Sequence, residues 1–130
     1  MIGIDTNVIV RFFVQDEPAQ SRKASAFLKT LTLSRPGYIS LVTLVETLWV
    51  LRAVYRIPRR AQVEILDHLL NLPQIVIEKE PEVREALEPF RRSRVDFADQ
   101  LIERCCHAAG CTTTVTFDAD AARLAGMKLL

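Results

Sequence analysis

Short apolar runs alternate with longer stretches of helical periodicity along this chain, and that alternation leaves it few folds. Ile2 to Ile4, Tyr38 to Ser40, Ile75 to Ile77 and Thr113 to Phe117 read as short strands, with Met127 to Leu130 as a last edge strand. Between them, Val8 to Val14, Pro18 to Leu33, Leu41 to Tyr55, Pro58 to Leu70, Pro81 to Arg92, Val95 to Gly110 and Asp118 to Ala125 read as helices. Pro18 sits where a first-turn proline is tolerated, and Gly110 suits a helix C-cap. Strands that alternate with helices imply an α/β fold: a three-layer sandwich with a short, mostly parallel sheet of four or five strands and about seven helices.

Composition narrows the function. A chain of 130 residues is expected to form one domain, here 1–130. Apolar residues at 49% and charged residues at 25% exclude a disordered chain or a fibre. Seventeen basic against 16 acidic residues give a net charge of +1, so any nucleic-acid site must rest on local charge. Cys105, Cys106 and Cys111 lack CxxC spacing and read as reduced thiols. Cys105 and His107 point to opposite faces of a helix turning about 100° per residue, which argues against a shared metal. No signal peptide or membrane span is apparent, and Glu46 interrupts the most apolar stretch, Leu41 to Leu51. A cytoplasmic protein with no membrane partner is expected.

The acids carry the chemistry. Ligands of open parallel sheets bind beyond the carboxyl ends of the strands. Two strands here run straight into an acid, Ile2-Gly3-Ile4 into Asp5 and Thr113 to Phe117 into Asp118. Helix N-capping accounts for either acid taken singly, and a cap can also serve a ligand. Glu46 lies in an apolar helix, where a buried carboxylate would need a cation, donors or water. A narrow solvent stripe of Thr43, Glu46, Thr47 and Val50 is the other account. On the helix from Val95, Asp96, Asp99, Gln100, Glu103 and His107 form one polar face, which alone reads as solvated.

Asp5, Glu46, Asp99 and Asp118 come from four separate elements. If they converge, they repel: two carboxylates about 4 Å apart cost about 1 kcal/mol in water and about 4 kcal/mol at an effective dielectric of about 20. A divalent cation offsets such repulsion. An all-oxygen carboxylate set suits Mg²⁺ or Mn²⁺, and the chemistry expected is metal-assisted phosphodiester hydrolysis.

With these residues placed, the chain resembles the PIN domain family, and most of all the VapC ribonuclease toxins of toxin–antitoxin pairs. The resemblance rests on Ile4-Asp5-Thr6-Asn7-Val8, on Leu44 to Leu51 with its single Glu46, on Asp96-Phe97-Ala98-Asp99-Gln100-Leu101-Ile102, on Thr116-Phe117-Asp118, and on the closing Arg123-Leu124-Ala125-Gly126. It covers the whole chain. It implies a metal-dependent endoribonuclease with Asp5, Glu46, Asp99 and Asp118 around the ion. Asp96 is an extra acid of some close relatives, Asp120 an auxiliary candidate, and Thr116 shares a strand face with Asp118 and is a candidate to orient water. Gln100, directly after Asp99, departs from the family's usual small residue.

Arg91, Arg92 and Arg94 are candidates for phosphate contact, as are Arg56, Arg59 and Arg60; docking an acidic antitoxin segment or pairing with Glu80 to Glu88 are the alternatives. The resemblance also implies an RNA substrate, a VapB-like antitoxin and a homodimer, with Phe12, Phe13, Trp49 and Leu51 as candidates for an apolar antitoxin groove. A catalytically weak PIN scaffold that only binds an antitoxin is the competing function. A haloacid-dehalogenase-type phosphotransferase is discounted, because it needs a second Asp where this chain has Asn7.

Overall fold

The computed structural model describes residues 1–130, which pack as two compact units, residues 1–78 and 79–130. In the first unit β1 (Ile2–Gly3), β2 (Gly37–Ile39) and β3 (Ile75–Ile77) form a parallel sheet in the order β1-β2-β3. Ile2 pairs with Gly37, and Gly37 in turn with Ile75. The connections are α1 (Thr6–Val14) and α2 (Pro18–Lys29) between β1 and β2, then α3 (Leu41–Ala53) and α4 (Arg59–Leu70) between β2 and β3. The core is aliphatic, with Ile39, Leu44, Leu51 and Leu66 fully buried.

Local chemistry sets the helix starts. Pro18 opens α2, and the Glu17 carboxylate accepts from the Gln20 N–H at 2.8 Å. Ser40 caps α3 by accepting from the Thr43 N–H at 3.2 Å. Glu78, directly after β3, accepts from the Leu41 N–H at 2.8 Å. So a third strand also runs into an acid, and its carboxylate serves a helix N-terminus. The pattern Ile75-Val76-Ile77-Glu78 carried that signal in the sequence.

The second unit holds α5 (Glu80–Arg92), α6 (Phe97–Ala108), β4 (Val115–Thr116), α7 (Ala119–Leu124) and β5 (Lys128–Leu129). β4 and β5 pair in parallel, Val115 with Lys128. α5 packs on α6, with Phe90 edge-on to Phe97 at 5.5 Å between ring centres. Val95, Ala121, Ala125 and Met127 make a small buried cluster.

The chain is thus α/β, with seven helices and short parallel sheets. Five strands form, three in one sheet and two in another. Element ends shift by a few residues. α1 begins at Thr6 rather than Val8, because Asp5 is extended and takes the N-cap place. α2 stops at Lys29 rather than Leu33, because Thr30 caps it, with its hydroxyl donating to the Phe27 carbonyl at 2.7 Å. The helix expected from Leu41 to Tyr55 is not buried all round: Val42 is 76% exposed and Trp49 54%. No helix is long and apolar enough to cross a membrane.

Gly37 is the tightest backbone approach. A Cβ there would lie 2.5 Å from Ile4 Cδ1 and 2.9 Å from Leu31 Cδ1, and both side chains are buried. Gly37→Ala should cost about 1–2 kcal/mol by overpacking, read as a lower urea midpoint at an unchanged slope.

Candidate functional site

The carboxyl ends of β1, β2 and β3 lie along one edge of their sheet, because the strands are parallel. Asp5 stands at that edge after β1. It occupies the N-cap of α1 with no side-chain cap hydrogen bond, while its carbonyl accepts from Val8 N at 3.1 Å. α3 leaves the same edge after β2 and packs on α1. Glu46 sits in the second turn of α3 and is exposed. The burial argument for this residue therefore does not apply, since its face of α3 opens outward. Its neighbour Thr47 is the buried one, and satisfies its hydroxyl at the Thr43 carbonyl at 2.7 Å.

A groove of about 450 Å³ is floored by β1 and Ile4 and walled by Asn7, Val8 and Arg11 of α1 and by Gln20, Lys23 and Phe27 of α2. Arg11 is held there by Gln20 at 2.7 Å and the Tyr55 hydroxyl at 2.9 Å. Thr6, adjoining Asp5, is buried, and its hydroxyl has no hydrogen-bond partner.

In the second unit two acids bear on a third. Asp96 takes the N-cap place of α6, Asp99 lies in its first turn, and Asp118 caps α7. The Asp99 carboxyl is held above its ordinary range, first by burial and then by the charges of Asp118 and Asp96. Asp118 Oδ1 accepts from the N–H groups of Asp120 at 2.8 Å and Ala121 at 3.0 Å. Its other oxygen stays open to a ligand. The Thr116 hydroxyl accepts from the Asp118 N–H at 3.0 Å, which fixes the turn out of β4. Capping at Asp118 thus occupies one carboxylate oxygen and not the other.

The polar face of α6 is not a solvated stripe. Gln100 is 3% exposed, and its amide donates to the Ser93 hydroxyl at 3.2 Å and to the Leu124 carbonyl at 3.5 Å. It joins the first turn of α6 to the end of α7, and so sets Asp99 relative to Asp118. Helical spacing puts Gln100 on the polar face, and the sequence signal for its burial is that it stands in place of a small residue directly after Asp99. The stripe expected opposite is mixed as well: Phe97 and Leu101 are buried, but Ile102 is 49% exposed.

Asp120 is engaged elsewhere. It holds Arg94 through two hydrogen bonds, at 2.8 and 3.1 Å, and Arg123 at 3.0 Å. The Arg94 guanidinium, and after it Arg123, keep the Asp120 carboxyl below its ordinary range. Arg91 and Arg92 both pair with Glu88, at 3.2 and 3.6 Å. So Arg91, Arg92 and Arg94 all carry acidic partners, and in the second cluster Arg60 pairs with Glu64 at 3.7 Å. Of the groove candidates, Leu51 is core, Phe12 and Phe13 stack edge-on and are half-buried, and Trp49 is exposed.

No three His, Cys, Asp or Glu side chains stand in an arrangement that holds an ion. The donor chemistry still fits a hard divalent cation. Asp5, Glu46, Asp99 and Asp118 offer oxygen only, and the mutual repulsion at Asp99 is what a cation relieves.

The family model of the PIN domain matches residues 2–127. Comparison with curated proteins and with solved structures gives no match.

Two stability predictions follow from the charges. A carboxyl raised in the folded state opposes folding once it ionises. Asp99→Asn should therefore raise the melting temperature at neutral pH, and the gain should vanish below about pH 3, where the unfolded carboxyl is protonated too. Asp120 has the opposite sign. Its lowered carboxyl contributes stability above about pH 4, and loses it as the pH falls through the folded value. Arg94→Ala should lower the melting temperature at pH 7, and that loss should shrink steadily as the pH falls below about 4, measured by thermal scans across the acid range.

Proposed function

Because this chain belongs to the PIN domain family, we propose that it is a divalent-metal-dependent endoribonuclease and the toxin of a VapB–VapC-type toxin–antitoxin pair. PIN domains are typically nucleases, and generally use a divalent metal. The observation that carries the reading is the Asp96, Asp99 and Asp118 group, three acids from two elements kept within electrostatic reach at a cost to Asp99. A fold gains nothing from such repulsion in itself, whereas a cation site needs it.

Asp99 and Asp118, with Asp5 and Glu46, are the residues assigned to hold Mg²⁺ or Mn²⁺. When bound, the ion supplies positive charge to the phosphodiester and lowers the pKa of water. The chain supplies the rest. Asp118 keeps one oxygen on the α7 amides and presents the other. Gln100 positions the α6 turn that carries Asp99. Asp96 adds negative charge beside Asp99, and Asp120 acts through Arg94 and Arg123 rather than on the ion. Asn7, Lys23 and Arg11 line the groove over β1, and offer donors to an RNA backbone. The exposed Trp49 and Val42 on α3 are the apolar surface assigned to the antitoxin. A homodimer and a cytoplasmic location complete the reading.

Purified full-length chain should cut total cellular RNA into discrete fragments in Mg²⁺ or Mn²⁺, and not in EDTA. Asp5→Asn, Glu46→Gln and Asp99→Asn should each reduce cleavage by at least about a hundredfold while the circular dichroism spectrum is kept. Wild-type turnover in one of them removes that residue from the site. Folded, antitoxin-free protein that cuts nothing under any metal points instead to a PIN scaffold that binds without catalysis.

A further inference from the structure

We propose that Cys106 and Cys111 are a redox-active thiol pair that closes a reversible disulfide across the C-terminal cap of α6. The support is in the backbone. The Gly110 N–H donates to the His107 carbonyl at 2.9 Å, and the Cys111 N–H donates to the Cys106 carbonyl at 3.0 Å. Gly110 has φ +92°, in the left-handed region. These two nested bonds and the left-handed glycine form the cap in which the sixth residue folds back onto the first, and side chains at those two positions commonly touch. Here the first is Cys106 and the sixth is Cys111.

Bond geometry then limits the separation. A 3.0 Å hydrogen bond from the Cys111 nitrogen to the Cys106 oxygen keeps the two Cα atoms within about 7 Å, whatever its angle. Disulfides bridge Cα separations of about 4.4–6.8 Å, so little or no backbone movement is required. None of the three cysteines is in a disulfide; Cys106 is half-buried and Cys111 is exposed to an oxidant. Cys105 is the competitor. Its carbonyl accepts from Ala109 instead, and the returning chain bonds to Cys106.

With hydrogen peroxide as oxidant the step balances. The Cys111 thiolate attacks a peroxide oxygen; an S–O bond forms, the O–O bond breaks and hydroxide leaves. The Cys106 thiolate attacks that sulfur; the S–S bond forms, the S–O bond breaks and a second hydroxide leaves. The two thiol protons convert both hydroxides to water. The crosslink sits on the connection from α6, which carries Asp99, to β4, which leads into Asp118. It does not depend on the nuclease reading.

The test is mass spectrometry of the reduced full-length chain treated with peroxide, alkylated, and cut with trypsin without reduction. The tryptic peptide Cys105 to Arg123 holds all three cysteines. We expect it to lose two hydrogens, to keep one alkylated thiol at Cys105, and to regain both hydrogens with dithiothreitol. Fragmentation of the wild-type peptide should give no backbone ions inside the ring from Cys106 to Cys111, a readout that needs no variant. Cys105→Ser should keep the link, while Cys106→Ser and Cys111→Ser should lose it. A link through Cys105, a crosslink only between two chains, or oxygen addition without any crosslink overturns the proposal.

Discussion

Every strand of this chain is two or three residues long, so a helix begins almost as soon as a strand ends. The unpaired amide groups of that helix then fall at the carboxyl end of its own strand, and they must be met by acceptors. Acids and hydroxyls meet them. Asp118 accepts from two amides of α7, Ser40 and Glu78 share the start of α3, and Asp5 stands at the start of α1. The same residues that let the helices start thus collect negative charge at strand ends. Of the four candidate acids, Asp118 alone makes side-chain cap bonds; Asp5 takes an N-cap place without one.

What capping does not explain is Asp99. It lies one turn inside α6, and its charge is opposed by burial and by two neighbouring acids. It is held there by packing and by one buried amide. Phe97 on Phe90 seats the helix start, and Gln100 fixes the turn to Ser93 and Leu124. A buried glutamine that loses its partners is expensive, so this link resists slippage. The arrangement has the character of a site: local repulsion maintained by stabilising contacts elsewhere.

Much of this was legible in the sequence. Period-two and period-3.6 patterns gave the order of strands and helices, because burial of one face imposes them whatever the neighbours are. Asp5 and Asp118 stood out as acids closing apolar runs. The glutamate after Ile77 fits the same pattern and was not singled out; only its bond to the Leu41 amide shows that it is used up as a cap. Gln100 reads as part of a solvated face and is buried, while Glu46, for which burial and a solvent stripe are both open, is exposed; helical periodicity says which residues share a face but not which face meets a neighbour. α3 turns its Val42–Glu46–Trp49 side outward despite its apolar composition, and α6 turns Gln100 inward despite its polarity.

The sequence by itself determined the fold class, the order of elements and the residue types available for chemistry. Those follow from local periodicity, from turn residues and from the affinity of carboxylates for hard cations. Only the tertiary structure decided which charges are spent. Arg94 goes to Asp120 and Glu78 to a helix start, whereas Asp99 is left facing like charge. The reason is distance. Charge and hydrogen-bond energies fall within a few ångströms, and residues 26 positions apart, such as Arg94 and Asp120, come that close only when the chain is folded.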